Sequence, residues 1–239
     1  MKQVLITGGG TGIGRAIAWA FAENGDAVTI AGRRLEILRK AAEGRKIACK
    51  QADITDEADV EALFQTPYDV VIANAGWGAS GKTAKLSLAD WNATLAVNLT
   101  GTFLTFRQAL RSDPRPSRLI AIASTASLKG NASVPAYTAA KHGVLGLVRS
   151  IALDVAKTNT TCNAICPGFT ETDLAETAIT GLMSRFNIDR SEATAKVAAG
   201  NPRGNLISPD EIAQTALFLA SKGASAINGH ALSVSGGEI

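Results

Sequence analysis

Residues 3–14 read QVLITGGGTGIG, and the fold turns on what those glycines are for. Gln3 to Thr7 is a short apolar run of strand character. From Thr7 to Gly14, five of eight residues are glycine, and apolar residues at helical spacing follow directly. Such a stretch is either a tight turn that needs small residues or a cradle for phosphate. In a strand–loop–helix unit, Gly8, Gly12 and Gly14 would supply three things a dinucleotide site needs. These are a tight turn, a backbone without Cβ against a pyrophosphate, and close helix-to-strand packing. The helix N-terminus, with Thr11 and Ile13 in its approach, adds unpaired N–H groups and a partial positive charge.

Outward from this unit, the same alternation runs to the end of the chain. QVLIT (3–7), AVTIA (27–31), KIACK (46–50), DVVIANA (69–75), RLIAIAS (118–124), TTCNAIC (160–166) and HALSVS (230–235) read as strands. Most are nearly continuous in Val, Ile, Leu and Ala, as expected where both faces of a sheet are covered. Between them, 12–24, 34–43, 56–65, 88–111, 136–157 and 209–221 carry helical spacing. Strand alternating with helix, joined by right-handed crossovers, gives an α/β fold. It predicts a doubly wound parallel seven-stranded sheet (a Rossmann fold) in a three-layer α/β/α arrangement. One domain over residues 1–239 accounts for the pattern. The exception is 169–208, where Leu174, Ile179, Leu182, Met183 and Phe186 stand among polar residues. That segment is either an amphipathic lid over a substrate or a structural excursion.

Composition excludes several classes of function. The formal net charge of +3 and the scattered basic residues offer no stripe for nucleic acid. Val4, Leu5 and Ile6 are too short an apolar run for a signal peptide, and no stretch approaches the roughly 20 residues of a membrane span. Cys49, Cys162 and Cys166 are odd in number and lie in apolar surroundings, so a cytoplasmic protein is expected. Cys162 and Cys166 have no second pair, and His142 and His230 are far from them in sequence, so no metal is expected.

The end of the second strand should declare the cofactor. A site for an unphosphorylated ribose would place Asp or Glu there. This chain has Ala31-Gly32-Arg33-Arg34 instead. Two guanidiniums are available for a 2′-phosphate, Arg33 first, because an arginine at a helix start otherwise opposes the dipole. NADP(H) is the expected cofactor, with NAD(H) the second choice.

At this point the chain resembles the short-chain dehydrogenase/reductase family. TGGGTGIG is similar to its Thr-Gly-x-x-x-Gly-x-Gly motif. ANAG (73–76) resembles Asn-Asn-Ala-Gly with Ala73 in place of the first Asn, and NLTG (98–101) matches the segment bearing the helix-four asparagine. YTAAK (137–141) matches Tyr-x-x-x-Lys, and Ser124 stands thirteen residues before Tyr137, where the family keeps its serine. CPGFTET (166–172) resembles the Pro-Gly turn and following Thr that hold the nicotinamide end, and the closing SGGE is also family-like.

The resemblance implies catalytic roles for Asn98, Ser124, Tyr137 and Lys141. Hydride transfer to a ketone leaves an alkoxide that needs a proton, and Tyr137 can supply it. Lys141, one helical turn on, would lower the phenol pKa through its charge, and in this family also holds the nicotinamide ribose. Ser124 would hydrogen-bond the carbonyl oxygen. Asn98 would anchor a water path to Lys141, or merely cap a turn inside its helix. Ser127 and Thr125 are rivals that the spacing sets behind Ser124. His142, adjacent to Lys141, points about 100° away on a helix and is expected to pack or face solvent.

The cofactor set implied is Gly8, Thr11, Gly12, Ile13, Gly14, Arg33, Arg34, Asp53, Ile54, Asn74, Ala75, Gly76, Tyr137, Lys141, Pro167, Gly168, Phe169, Thr170 and Thr172. Asp53 resembles the adenine-contacting Asp, although it could simply end the third strand. Thr172 is preferred over Thr170 on the pyrophosphate side.

Trp77 to Gly81, Thr125 to Val134 and the 169–200 segment should wall the substrate. They are mostly small or apolar, with Lys129 and lid arginines nearby, which suits an uncharged carbonyl on a chain with an anionic end at the mouth. A 3-oxoacyl thioester is the expected substrate, with a cyclic ketone, steroid or sugar carbonyl as the alternatives. A cofactor-binding sensor without catalysis would typically have lost Tyr, Lys or Ser. Helices 88–111 and 136–157 carry more apolar surface than one sheet face needs, so a homotetramer or homodimer is expected.

Overall fold

The computed structural model describes residues 1–239, the side chain of Leu174 excepted. Seven strands form one parallel sheet: β1 (Gln3–Thr7), β2 (Ala27–Gly32), β3 (Ile47–Gln51), β4 (Val70–Ala73), β5 (Arg118–Ile122), β6 (Thr161–Pro167) and β7 (Ala231–Val234). Their order is β3-β2-β1-β4-β5-β6-β7. The chain therefore winds outward from β1 in one direction, returns, and winds outward in the other from β4. The reversal lies between β1 and β4, paired in parallel with Leu5 opposite Val71.

Successive side chains along a strand point to opposite faces, and both faces here are covered. Val4, Ile6, Val70, Ile72 and Ile120 pack against α1 (Gly12–Glu23), α2 (Leu35–Ala42) and, further along the chain, the helix at Pro209–Leu219. Leu5, Val71, Leu119 and Ala121 face the other way. They meet α3 (Glu57–Leu63) through Leu63, a helix at Gly101–Arg111 through Phe106, and one at Pro135–Asp154 through Val144 and Val148. This two-sided burial is why the strands read as continuous apolar runs rather than alternating ones.

The helix expected over 88–111 is built in three parts. α4 (Leu88–Leu95) passes through a π turn at Ala96–Thr100 into α5 (Gly101–Arg111). The wider turn rotates Asn98 into the interior, where it is fully buried. The carbonyl of Asn98 is recovered by the Thr102 hydroxyl, which donates to it at 2.7 Å. π turns of this kind concentrate at functional sites.

Beyond α6 (Pro135–Asp154) and β6, residues 169–208 fold as a helical hairpin, α7 (Asp173–Phe186) and α8 (Arg190–Ala198). Asn187 ends α7 in the left-handed region (φ 51°), and Asp189 caps α8 by accepting from the Glu192 N–H at 2.8 Å. Ile179 is buried, Leu182 and Met183 are half-buried and Phe186 is exposed. A parallel bridge between Thr170 and Ile207 closes the base of the excursion. The chain then enters α9 (Pro209–Leu219), whose start is fixed by a reciprocal Ser208–Glu211 capping box.

Candidate active site

The glycine loop has the backbone of a cradle. Gly8 and Gly12 sit at φ 66° and 50°, a region glycine enters without strain. A Cβ on Gly14 would lie 2.3 Å from the Gly8 carbonyl oxygen, so α1 approaches the loop at backbone distance. Asn74, at the end of β4, braces the loop from the neighbouring strand. Its Nδ2 donates to the carbonyls of Thr7 (3.0 Å) and Gly8 (3.1 Å). The Thr7 hydroxyl in turn accepts from the N–H groups of Asn74 (3.0 Å) and Ala75 (3.2 Å). The side chain of Asn74 is thus committed to the loop, and its backbone N–H and that of Ala75 to Thr7. Across the loop stands Thr172, whose methyl would meet a Gly12 Cβ at 3.1 Å. Thr170 is buried at the base of the excursion with its hydroxyl on the Gly168 carbonyl at 3.0 Å, so Thr172 is the one of the two that faces the glycines.

At the end of β2, Arg33 and Arg34 are both exposed, and Arg34 precedes α2 without capping it. Arg33 acts on Asp53 beyond β3. Partial burial pushes the Asp53 carboxyl up, but hydrogen bonds from the Thr55 N–H and hydroxyl, together with the Arg33 charge, hold it below the ordinary carboxylate value. Ile54 is buried and packs on Gly101. Thr11 and Ile13 lie at the mouth of the loop, Thr11 exposed and without a side-chain cap bond.

The four polar residues singled out in the sequence converge at the carboxyl edge of the sheet. Ser124 lies just past β5, its hydroxyl accepting from the Ala126 N–H at 3.1 Å, close enough to Tyr137 to influence its phenol. Lys141 Nζ donates to the carbonyl of Ile122 at 2.8 Å and stands 5.5 Å from the Tyr137 ring centre. Asn98 donates through Nδ2 to the carbonyls of Thr94 (2.8 Å) and Trp77. Its Oδ1 is buried without a hydrogen-bond partner. Gly76 separates this oxygen from the lysine: a Cβ there would lie 2.6 Å from Asn98 Oδ1 and 3.5 Å from Lys141 Nζ. The π turn and Gly76 together place an open acceptor beside a buried ammonium. His142, as expected, turns away and bonds the Thr138 carbonyl at 2.9 Å.

The electrostatics depart from the expectation that Lys141 would depress the Tyr137 pKa. Burial pushes the Tyr137 phenol up, against the Ser124 hydrogen bond, which pulls it down. Burial also pulls the Lys141 ammonium down to about 8. Desolvation is the largest influence on both groups. Each is driven toward its neutral form.

Three contributors escaped the sequence reading. The Thr7 hydroxyl organises the loop and the end of β4 at once. Cys166 is buried at the end of β6, and burial pushes its thiol up to about 11. Glu238, at the chain's end, is paired with Lys129. Within 169–208, Arg190 is paired with Glu176 and Arg203 with Glu211. Among the described residues, no group of three or more His, Cys, Asp or Glu stands where it could hold a metal, and no helix is long and apolar enough to cross a membrane.

The glycine cradle and the open Asn98 oxygen fit a nicotinamide dinucleotide, and relatives agree. The family model described as enoyl-(acyl carrier protein) reductase matches residues 8–238. The 3-oxoacyl-(acyl-carrier-protein) reductase of Aquifex aeolicus is 34% identical, over 99% of this chain and 96% of that protein. The D-beta-hydroxybutyrate dehydrogenase of Cupriavidus necator is 32% identical, over 99% and 97%. A variant of the actinorhodin polyketide ketoreductase, crystallised with NADPH, superposes with a TM-score of 0.92 at 31% identity, over 99% of this chain and 97% of that one. The chain belongs to the short-chain dehydrogenase/reductase family and is an oxidoreductase acting between hydroxyl and keto groups.

Proposed function

We propose that this member of the family is an NADP(H)-dependent reductase of 3-oxoacyl thioesters. The observation that carries the reading is the cluster of half-buried Ser124 and Tyr137 with buried Lys141 and Asn98 at the carboxyl edge of the sheet, beside a glycine cradle. The 3-oxoacyl preference is supported by the reductases among the relatives. The NADP preference is supported by Arg33 at the end of β2, where a carboxylate would have suited a free ribose hydroxyl.

When bound, the nicotinamide supplies the hydride. The chain's own residues would do the rest. Gly8, Gly12 and Gly14 with the α1 N-terminus would hold the pyrophosphate, with Thr172 on the far side and Arg33 on the 2′-phosphate. Asp53 and Ile54 would line the adenine, and Ala75, Gly76, Pro167, Gly168 and Phe169 the nicotinamide half. Ser124 would turn its hydroxyl proton to the substrate carbonyl oxygen. As the carbonyl carbon gains hydride, its oxygen takes the Tyr137 proton. A phenol pushed up by burial is fully protonated at neutral pH, the state an acid needs. The phenolate left behind forms beside the Lys141 ammonium, which favours it. Lys141 returns the proton, and Asn98 Oδ1 offers the next acceptor site on the route to solvent.

Exposed apolar side chains on α5 and α6, Phe103 at 42% and Leu153 at 80%, support a homodimer or homotetramer through these helices. Light scattering at micromolar concentration tests it, and a monomer rejects it.

The activity is tested by NADPH oxidation, with NADH alongside, on the acetoacetyl thioester of N-acetylcysteamine. Tyrosine-dependent turnover favouring NADPH is expected. NADPH binding without turnover on this thioester rejects the substrate class.

A further inference from the structure

Lys129 is the one cation in the loop that follows the catalytic serine, 125–134. Its backbone N–H returns to the Thr125 carbonyl at 3.1 Å, so it stands one turn beyond Ser124. The side chain is 40% exposed, and its Nζ lies 2.8 Å from a carboxylate oxygen of Glu238, whose side chain is only 8% exposed. The position of that carboxylate is built from three directions. A Cβ on Gly168, in the turn after β6, would lie 2.9 Å from Glu238 Oε2, and one on Gly200, at the lid's end, 3.7 Å from Oε1. Gly236 and Gly237 carry the tail inward at φ 64° and 93°, and a Gly236 Cβ would collide with the buried Asn201. The last residues are therefore threaded between the lid base and the turn after β6, and they end on Lys129.

A carboxylate so enclosed is costly unless paired, and the pairing has a consequence for the pocket. The one cation of the loop that follows Ser124 is already neutralised. A 3-oxo acid entering with its own carboxylate would find Lys129 occupied and Glu238 repelling it. The ester or thioester of the same acid carries no charge at that position.

We propose that Glu238 is a specificity-determining residue: held on Lys129, it makes the pocket reject free 3-oxo acids in favour of their neutral esters and thioesters. This rests on the reading of the site as a 3-oxoacyl reductase.

The test compares kcat/KM for acetoacetate and for acetoacetyl-N-acetylcysteamine in the wild type, in Glu238→Gln and in Glu238→Gln/Lys129→Met, all with NADPH. The wild type should favour the thioester by about 100-fold or more. Glu238→Gln should raise the acid-to-thioester ratio roughly tenfold, mainly through KM for the acid, the size expected for one released ion pair. Adding Lys129→Met should remove that gain. A general disturbance of the tail would move both substrates together and leave the ratio unchanged. The proposal is overturned if the wild type reduces the acid as well as the thioester, whatever the variants do. An unchanged ratio in Glu238→Gln also overturns it. Turnover of neither compound rejects the 3-oxoacyl reading itself, and this inference with it.

Discussion

The two ends of the parallel sheet use buried polarity differently. At the amino edge most polar groups close on one another, with Arg118 Nε and Thr161 Oγ1 the exceptions. Asp26 accepts from the Lys2 N–H at 2.8 Å and from Asn24 at 2.9 Å, and Asp69 accepts from the Gln3 N–H at 2.7 Å. Arg118 donates to the carbonyls of Ser117 (2.7 Å), Asn159 (3.4 Å) and Ser221 (3.1 Å). Asn163 and Asn228 tie the start of β7 to β6 and α6. At the carboxyl edge the account stays open. Asn98 Oδ1 lacks a partner, and Tyr137 and Lys141 are both displaced from their ordinary pKa values by burial. One edge is built for stability, the other for chemistry, and residues at the two edges should respond differently to mutation.

The contrast is sharpest at Tyr137. Tyr137→Phe removes the acid and leaves the ring, so reductase turnover should fall by ~10²–10⁴-fold while the melting temperature hardly moves. A loss below about tenfold would mean that the carboxyl edge does not use this proton. Next in size is Arg33→Ala, expected to raise KM for NADPH by ~10–100-fold, the range of one charge-assisted phosphate contact, with KM for NADH nearly unchanged. Equal effects on both cofactors would reject the 2′-phosphate role.

Arg118→Met probes the other edge. It removes a fork spanning three carbonyls, and should destabilise by about 1–3 kcal/mol in chemical denaturation. Turnover per folded molecule should stay at the wild-type level. A selective loss of kcat would show that the two edges are coupled.

Much of this was legible in the sequence, for reasons that differ by region. The β-strands were readable because two-sided burial demands continuous apolar runs, as in Val70–Ala73. The glycine loop was readable because only glycine serves at its positive φ angles. Tyr137 and Lys141 were legible as a pair, since four residues on a helix return to one face, and Ser124 through the family resemblance. The π turn at Ala96–Thr100 was not, because a bulge of one residue leaves the apolar pattern of 88–111 almost intact. Nor was the enclosure of Glu238: nothing local in SGGEI says that it pairs with Lys129. The sign of the Tyr137 displacement was missed for a related reason. Spacing shows a neighbouring charge, but not how far water is excluded.

The smallest expected effect puts the comparison at risk on its own ground. Lys141 titrates at about 8 in the folded protein, below the ordinary lysine value of 10.5. Around pH 7 it is charged in both folded and unfolded chains, so the folded state bears the full cost of burying the charge. Between about pH 8 and pH 10.5 the folded form has released its proton while the unfolded form still binds one, and stability gains with rising pH. Lys141→Met removes the buried charge but also the bond to the Ile122 carbonyl. The balance is a variant more stable than the wild type at pH 7 by about 1–2 kcal/mol, with little activity. The gap should narrow as pH approaches 10. Thermal unfolding of both proteins at pH 7 and at pH 9.5 decides it. A less stable variant at pH 7, or a gap indifferent to pH, would mean that the bond to the Ile122 carbonyl offsets the burial of the lysine. The carboxyl edge would then hold no stored cost, and the division between the two ends would rest on Asn98 and Tyr137 alone.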